Sequence, residues 1–476
     1  MSGYSNGGAS LNKKTMKTWL PISLSAKSDI DLNLSTLRNR SRDLATNSAL
    51  GSAVIQTLVT GVIGAGLKLF PRIDANYLGI SSEEAREISR QIKREFELWA
   101  ENCDYLRRNN FYELQLIAFE SSLIDGDSFV LFKRDLPKPY SLRLQVVESA
   151  RVSNPDGGTL EQATANGGRI VNGIETDRAG RLESIYVSNR LWNEPDAVDA
   201  KLEWQRVKVF GEKTGCRNVL QICRDVRPDQ NRGVPVLAPV IENLKQIERY
   251  ADAELTSSII KSFFSVFFIQ PTSNLTLNEI AGEEEELDVR DFKLGAGTIS
   301  ALPKGVDVKA IDSQNSQKVF ESFMNFYVKT VGAAVNLPYE VLLKTFQSSY
   351  SASRAALLQA ASEFEKQKTV FCRDFLTPIY ENFLAEAVAL GRLNLPGFFN
   401  DILTQRAWSR AQWYSKVNRV LDAQKETNAA KTKLELGLTS REKVLAETEG
   451  IDFEDLVETL AQEKVMLEKI LPAQSS

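Results

Sequence analysis

Two long helical patterns dominate the second half of the chain. From residue 240 to residue 262 an apolar or small side chain recurs every three to four positions, which predicts an amphipathic helix of about six turns. A second pattern of this kind, which includes Phe323 and Phe326, predicts a helix over 314–335. The helical period is lost between the two, so two long helices enclose a compact insertion over 263–312. The positions of the first stripe are Val240, Leu244, Ile247, Ala251, Leu255, Ile259 and Ser262.

The first half of the chain mixes helices with strands. Ser81 caps the start of a predicted helix, because a hydroxyl residue followed by early acids is a typical helix start. A second helix is predicted over 111–123, and residues 125–127 (Asp-Gly-Asp) form a turn before a strand over 128–133. Alternating apolar and polar residues over 140–222 predict a β-rich region.

The last third of the chain is predicted to be helical. A third long helix begins near residue 352 and is expected to kink at Pro378, because proline lacks a backbone N–H. Residues 400–471 return to a helical pattern. The predicted fold class is therefore α+β, mostly helical, and 476 residues suggest two to four domains.

Composition excludes much of enzyme chemistry. The chain has no histidine, so it has no Ser-His or Cys-His nucleophile pair, no imidazole base and no histidine-ligated metal. A nucleotide-binding P-loop and a nucleophile elbow are also absent, and the Gly-Glu-Lys-Thr-Gly run at 211–215 is a predicted hairpin turn. We expect no catalytic residues, no cofactor and no metal. A carboxylate-only metal nuclease stays open as an alternative, because three acids could converge from distant positions.

The cysteines, the apolar stretches and the charged clusters are interpreted as structural features rather than as functional sites. The four scattered cysteines are predicted to be buried reduced thiols, and the apolar stretch over 51–70 contains too many polar residues for a membrane span. Residues 125–127 are interpreted as a turn, with a divalent ion as the alternative. The three arginines of the first helix (Arg38, Arg40, Arg42) are predicted to lie on a solvated face; subunit salt bridges and phosphate contacts are the alternatives.

Several short motifs, taken together and in order, resemble the lambda-type portal proteins of tailed phages. Each motif is short, so the similarity depends on their succession along nearly the whole chain. They are Gly3-Tyr-Ser-Asn-Gly-Gly-Ala-Ser10, Leu37-Arg-Asn-Arg-Ser-Arg-Asp-Leu44, Gly61-Val-Ile-Gly-Ala-Gly-Leu67, Gly173-Ile-Glu-Thr-Asp177 with Gly180-Arg181, Arg227-Pro-Asp-Gln-Asn-Arg-Gly-Val-Pro235, Leu337-Pro-Tyr-Glu-Val-Leu342 and Ser349-Tyr-Ser-Ala-Ser-Arg-Ala-Ala-Leu-Leu358.

The resemblance implies a non-enzymatic ring, typically of twelve subunits, at one vertex of the capsid. Double-stranded DNA would pass through its channel during packaging and at infection. The partners implied are the terminase large subunit, a head-completion or adaptor protein and the major capsid or scaffold protein. No contact with a membrane is implied. Assembly would occur in the host cytoplasm and the product would be part of the virion. The regions implied are a flexible basic arm (1–29), a wing (30–239), a first stem helix (240–262), a clip (263–312), a second stem helix (313–336), a tunnel loop (337–351), a long kinked helix (352–399) and a helical crown with an acidic tail (400–476).

Three groups of residues carry the expected contacts. The tunnel loop would present Lys344, Gln347, Ser348 and Ser349 to DNA; an ordinary polar loop is the alternative. The clip would use Glu283, Glu284, Glu285 and Glu286 as a docking surface; a solvated turn is the alternative. The second stem helix would contact a neighbouring subunit through Phe320, Phe323, Phe326 and Tyr327; packing within the chain is the alternative.

The net charge of −4 argues against static DNA binding, which favours a basic protein, and permits a conduit. A capsid-associated scaffold without a channel is a further alternative.

Overall fold

The computed structural model describes residues 9–135, 139–158, 161–191, 194, 201–213, 215–263, 267–269, 307–309, 314–346, 349–415, 423–451 and 453–470. Within these residues the fold is α+β and mostly helical, as predicted. The helices are α1 (Leu34–Asn47), α2 (Ala49–Val62), α3 (Ala75–Leu78), α4 (Ser82–Ala100), α5 (Phe111–Asp125), α6 (Ile241–Phe263), α7 (Gln314–Ala334), α8 (Tyr339–Leu343), α9 (Tyr350–Phe371), α10 (Thr377–Ala389), α11 (Ile402–Ser409), α12 (Ala423–Glu435), α13 (Arg441–Thr448) and α14 (Phe453–Ile470). The strands are β1 (Lys68–Pro71), β2 (Asp127–Arg134), β3 (Leu142–Val147), β4 (Gln162–Ala163), β5 (Arg169–Val171), β6 (Ile174–Thr176), β7 (Leu182–Ser188), β8 (Trp204–Lys208), β9 (Val219–Cys223), β10 (Phe267–Ile269), β11 (Asp307–Lys309) and β12 (Ala411–Tyr414).

The first core forms where helices from distant parts of the chain meet around aromatic rings. Phe96 of α4 lies 5.3 Å from Phe111 of α5 and 5.2 Å from Phe383 of α10, both edge to face. Trp413 of β12 closes the same cluster, with its ring 6.0 Å from that of Phe96. Edge-to-face pairs add to the free energy gained by burying these large rings. The cluster therefore joins the middle of the chain to its C-terminal part.

Two helix starts of this core are fixed by local capping. The Ser81 hydroxyl accepts a hydrogen bond from the backbone N–H of Glu84, which confirms the predicted start of α4. Asn110 and Glu113 form a reciprocal capping box at the start of α5. Each cap satisfies backbone N–H groups that have no partner within the helix.

Two antiparallel sheets enclose a second, smaller core. One has the strand order β3-β2-β9, and the other is a five-stranded meander in the order β4-β5-β6-β7-β8. Strand β2 serves both cores because successive side chains point to opposite faces: Val130 packs in the first core, whereas Phe129 and Leu131 pack in the second. The predicted hairpins at 177–181 and 211–215 are confirmed by the turns between β6 and β7 and before β9.

The long helix near the C-terminal third is interrupted just before Pro378. Helix α9 ends at Phe371, one π-helical turn covers Cys372–Leu376, and α10 begins at Thr377. Proline at the second position of α10 has no N–H to donate back, so the preceding turn widens. The regular α-helix is therefore interrupted where the kink was predicted, and the kink itself stays a prediction.

The C-terminal segment is not wholly helical, which corrects the prediction for 400–471. Strand β12 pairs antiparallel with β1, so that Lys68 lies opposite Tyr414. The pairing is favoured because it buries Trp413 in the first core, a gain that the local helical pattern cannot reveal. Among the described residues, no helix is long and apolar enough to cross a membrane.

Candidate functional site: the paired long helices and the loop that follows them

Helices α6 and α7 pack against each other through aromatic rings. The ring of Tyr250 on α6 lies 5.7 Å from that of Phe320 and 4.1 Å from that of Phe323, both on α7. Phe323 in turn lies 4.4 Å from Tyr327, whose hydroxyl is 3.4 Å from the Gln246 side-chain oxygen. The two predicted long helices are therefore confirmed, and they form one antiparallel pair.

One end of this helix pair is anchored in the first core and the other is exposed. Three side chains at the anchored end are buried: Val240 just before α6, Leu244 on α6 and Val331 on α7. Farther along α6, however, the same apolar stripe leaves Leu255 61% and Ile259 48% exposed. The helix pair thus extends from the body of the protein with apolar side chains that are about half exposed.

The four aromatic residues predicted to contact a neighbouring subunit have different environments. Phe320, Phe323 and Tyr327 are half-buried in the contacts described above. Phe326 lies edge-on to Tyr327, with ring centroids 5.5 Å apart, and remains 64% exposed. The first three rings thus pack partly within the chain, Phe326 is largely exposed, and contact of the four with a neighbouring subunit stays a prediction.

The loop after the helix pair presents Lys344 to solvent. Helix α7 ends in a turn in which the Leu337 N–H donates to the Gly332 carbonyl at 2.8 Å. Helix α8 follows, and Lys344 caps its C-terminal end in the left-handed conformation with φ 55°. Ser349 is also exposed, and its hydroxyl caps α9 by accepting from the Ala352 N–H. Gln347 and Ser348 lie outside the described residues.

The insertion between the long helices is described only at its base. Strands β10 and β11 pair antiparallel there, with Phe268 opposite Val308. The predicted acidic docking residues lie outside the described residues; they are Glu283, Glu284, Glu285 and Glu286.

A buried ionic centre, which the sequence reasoning missed, lies just before α6. Arg232 and Asp127 are fully buried and form a two-pronged ion pair, with N–O distances of 2.7 and 3.0 Å. The same guanidinium donates to the carbonyls of Ser149, Val152 and Asn172 at 2.6–3.0 Å. Arg232 therefore joins the β2 sheet, the turn before β4 and the β5–β6 hairpin at the point where the chain enters the helix pair.

The prediction of a solvated arginine face on α1 is wrong for two of its three members. Arg42 forms a two-pronged ion pair with Asp125, both distances 2.7 Å, and Arg38 is buried with its Nη2 3.8 Å from an Asp127 oxygen. Arg40 is exposed. The predicted turn at 125–127 is confirmed, because α5 ends at Asp125 and β2 begins at Asp127. Its two carboxylates are buried, and α1 packs over them because buried charges require partners.

Burial and charge shift the pKa values in this centre in opposite directions. Burial by itself would raise the pKa of Asp127, but Arg232 and its hydrogen bonds outweigh that effect and hold the pKa below its usual value. Burial, together with the neighbouring Arg232, lowers the pKa of Arg38 to about 10. Both groups are therefore charged at neutral pH. Asp127 and Arg232 are 105 positions apart, and no sequence pattern links them. The one local feature they share is a neighbouring glycine, Gly126 or Gly233.

The carboxylates and thiols that could bind a metal ion are dispersed among the residues that the structure describes. No group of three or more carboxylates or thiols is placed to hold a metal ion within them. All four cysteines are free thiols, as predicted, but only Cys103 is buried and Cys216 is exposed. The prediction of four buried thiols is therefore wrong, because Cys216 lies in the hairpin turn before β9.

Comparison with known proteins identifies the family. A family described as "Phage portal protein, lambda family" matches residues 12–368, about three quarters of the chain. The chain belongs to this family. Portal protein B of Escherichia phage lambda is 23% identical over 481 residues, which cover 96% of this chain and 88% of the relative. The portal protein of Escherichia phage N15 is also 23% identical, with the same coverage, and the probable portal protein of Halomonas phage phiHAP-1 is 23% identical over 90% of this chain and 80% of its own.

Among solved structures, a chain from the neck of a native GTA particle, computed with C12 symmetry, covers 87% of this chain and 92% of its own at a TM-score of 0.43 and 11% identity. A chain from the virion of a native gene transfer agent particle gives a TM-score of 0.42, also at 11% identity, covering 87% of this chain and 92% of its own.

As a phage portal protein, the chain is a structural component of the head–tail connector in the virion and has no enzymatic activity. This removes the metal nuclease from the alternatives.

Proposed function

We propose that this portal protein assembles into a ring of twelve subunits, whose central channel passes double-stranded DNA into the capsid during packaging and out at infection. The observation that carries the proposal is the α6–α7 pair. It is anchored at one end in the core, leaves Leu255 and Ile259 partly exposed towards the other end, and leaves Phe326 exposed along its length. The number of subunits follows from the resemblance to the family, in which rings are typically dodecameric.

A closed ring requires two different contact surfaces on each subunit. In a head-to-tail arrangement one surface of a copy meets another surface of the next copy. The helix pair supplies one such surface, because its aromatic contacts hold α6 and α7 together while other apolar side chains stay exposed. Helix α6, with 23 residues, is about 34 Å long, enough to line a substantial length of a channel wall.

The charge of the protein suits a channel through which DNA slides. Twelve copies at −4 each give roughly −48, which repels the duplex on average and restricts attraction to a few rings of basic side chains. We assign such a ring to Lys344, with Gln347, Ser348 and Ser349 beside it. Lys344 is exposed in the loop directly after the helix pair, and a single flexible cation can contact phosphates weakly and release them.

We assign the remaining partner surfaces by the order of regions along the chain. The insertion 263–312, with Glu283–Glu286, would contact the terminase large subunit and later a head-completion or adaptor protein. The crown region 400–476 would face the capsid interior, and the wing 30–239 the major capsid or scaffold protein. The two remaining regions are the basic arm 1–29 and the long helix 352–399, to which we assign no partner.

Electron microscopy and particle mass test the ring directly. Purified protein should give annular particles with a central hole and a mass of twelve subunits. Phe326→Asp should abolish the rings, because it places a charge where a neighbour would pack. Phe399→Asp is the matched control, since Phe399 is also 64% exposed but lies outside the helix pair. Monomers in every buffer, particles without a hole, or equal behaviour of the two variants would contradict the proposal; particles without a hole would indicate a scaffold protein instead.

Packaging assays test the tunnel loop separately. Lys344→Glu should reduce DNA packaging or retention in assembled heads while rings still form, because the new charge repels phosphates. Lys213→Glu, in the exposed hairpin turn before β9, is the control. Loss of ring formation in Lys344→Glu would instead place Lys344 at a subunit contact.

A further inference from the structure

Four basic side chains line one surface formed by α4 and β1. Arg86, Arg90 and Lys93 stand at positions i, i+4 and i+7 of α4, which places them on one face of that helix. Arg72, which directly follows β1, lines the same cleft. Together they form a row of cations, which we call the α4 basic row. From Arg86 to Lys93 it extends about 10 Å along the helix.

The acidic C-terminal helices lie over this row. Glu442 of α13 forms an ion pair with Arg72, and Glu454 of α14 lies 3.6 Å from both Arg86 and Arg90. Glu458 lines the same cleft one turn farther along α14. Three carboxylates of the C-terminal segment thus face four cations of the body.

The contact between the two surfaces is open. A cleft of about 660 Å³ remains between the basic row and the helices above it. Arg86 is 70% and Glu454 41% exposed, and exposed ion pairs of this kind contribute little to stability and weaken as salt rises. Beyond Leu456, the described side chains of α14 are exposed.

We propose that α13 and α14 form an electrostatic cover over a DNA-binding surface, and that displacing their carboxylates lets the α4 basic row bind the phosphate backbone of duplex DNA. Glu442, Glu454 and Glu458 occupy the places that phosphates would take. Arginine recognises both groups with the same planar fork of N–H donors. The proposal uses the DNA that a portal protein handles, but not the ring or its channel, because the row includes no residue of α6, α7 or the loop with Lys344.

The charge at this surface sets the expected strength of binding. Glu87 forms an ion pair with Arg90 at 3.0 Å and stays on the body, so an uncovered row of four cations has a net charge of about +3. Each phosphate neutralised adds about 0.9 to the slope of log K against log salt. Uncovering the row should therefore steepen that slope by about 3, without preference for base sequence.

Neutralising the cover in the full-length protein tests the proposal. The triple variant Glu442→Gln, Glu454→Gln and Glu458→Gln should bind a fluorescent 30-base-pair duplex more than tenfold tighter than the wild type near 50 mM salt, with the steeper slope. The control is Glu435→Gln, Glu447→Gln and Glu463→Gln, which makes the same change in charge on exposed positions of the same segment. It should show little gain.

A second set of variants assigns the gain to the basic row. Adding Arg86→Ala and Arg90→Ala to the first triple variant should return the affinity to the wild-type value. An equal gain in both triple variants would mean that bulk charge alone is responsible, and a gain that survives loss of the two arginines would place the site elsewhere. No gain at all, or binding of polyglutamate but not DNA, would overturn the proposal. Binding is measured on whichever assembly the variants form, so the result does not depend on the ring.

Discussion

Replacing Arg232 by methionine should be among the most damaging single changes in this protein. Arg232 is fully buried and is the closest charged partner of Asp127, at 2.7 and 3.0 Å. Methionine fills similar space but leaves the carboxylate with weaker partners. These are the Ser149 hydroxyl, the Gly233 N–H, the Gln221 amide at 3.5 Å and Arg38 at 3.8 Å. Three backbone carbonyls lose their donor as well.

The expected loss is about 3–5 kcal/mol in the free energy of unfolding, the usual cost of leaving one partner of a buried ion pair uncompensated. Removing both charges should cost less. Arg232→Met combined with Asp127→Leu removes both charges of the pair and leaves Asp125 as the carboxylate acting on Arg38; we expect it to recover about 2 kcal/mol of that loss. The difference between the single and double variants isolates the cost of the unpaired carboxylate.

Urea unfolding as a function of pH measures this cost. Because the folded pKa of Asp127 is held below its unfolded value of about 4, the pair stabilises the wild type fully above that unfolded value. Its contribution is lost as pH falls through the folded pKa. In Arg232→Met, acid protonates the unpaired carboxylate, so the deficit relative to wild type should shrink from pH 7 towards pH 4.

Arg181→Met is the control for this experiment. Arg181 also makes a 2.7 Å ion pair, with Asp177, but its side chain is 83% exposed. Its loss should change the free energy of unfolding by less than about 1 kcal/mol. Equal stability of Arg232→Met and the double variant, or a deficit that does not change with pH, would refute the reasoning.

Three further predictions follow from burial and backbone geometry. Asp31→Asn should raise the free energy of unfolding by about 1 kcal/mol at pH 7, because burial raises the pKa of Asp31 and folding at neutral pH opposes its charge; the gain should vanish as pH falls through the raised pKa, measured by urea unfolding. Gly233→Ala should lower the free energy of unfolding by more than 3 kcal/mol, since a Cβ there would lie 1.8 Å from the Gly126 carbonyl oxygen. Gly180→Ala has open space but φ +82°, so thermal unfolding should show a loss of about 1 kcal/mol. Cys216 should react first with a thiol reagent under native conditions and Cys103 only after unfolding, followed by mass spectrometry, because burial raises the pKa of the Cys103 thiol and hides it.

Much of the local structure could be predicted because its causes are local. The start of α4 at Ser81, the interruption before Pro378 and the hairpin at 177–181 each depend on residues within one or two turns. The helices α6 and α7 were equally clear, since a long apolar stripe at helical spacing indicates one structure. The exposure of Lys344 also agrees with the polar loop predicted there.

What only the tertiary structure decided is which distant residues meet. Asp127 and Arg232 look like ordinary turn residues in sequence, and Arg38 like a solvated one, until α1, β2 and the chain before α6 bury them together. The same holds for β1 and β12, which pair across some 340 residues, and for the acidic helices that cover the α4 basic row. The sequence by itself determines periodicity, caps and turns, because these act between neighbours along the chain. Whether a charged side chain is buried in an ion pair or covered by another helix depends on the packing that removes it from water. That packing involves elements distant in the sequence, so the local pattern does not reveal it.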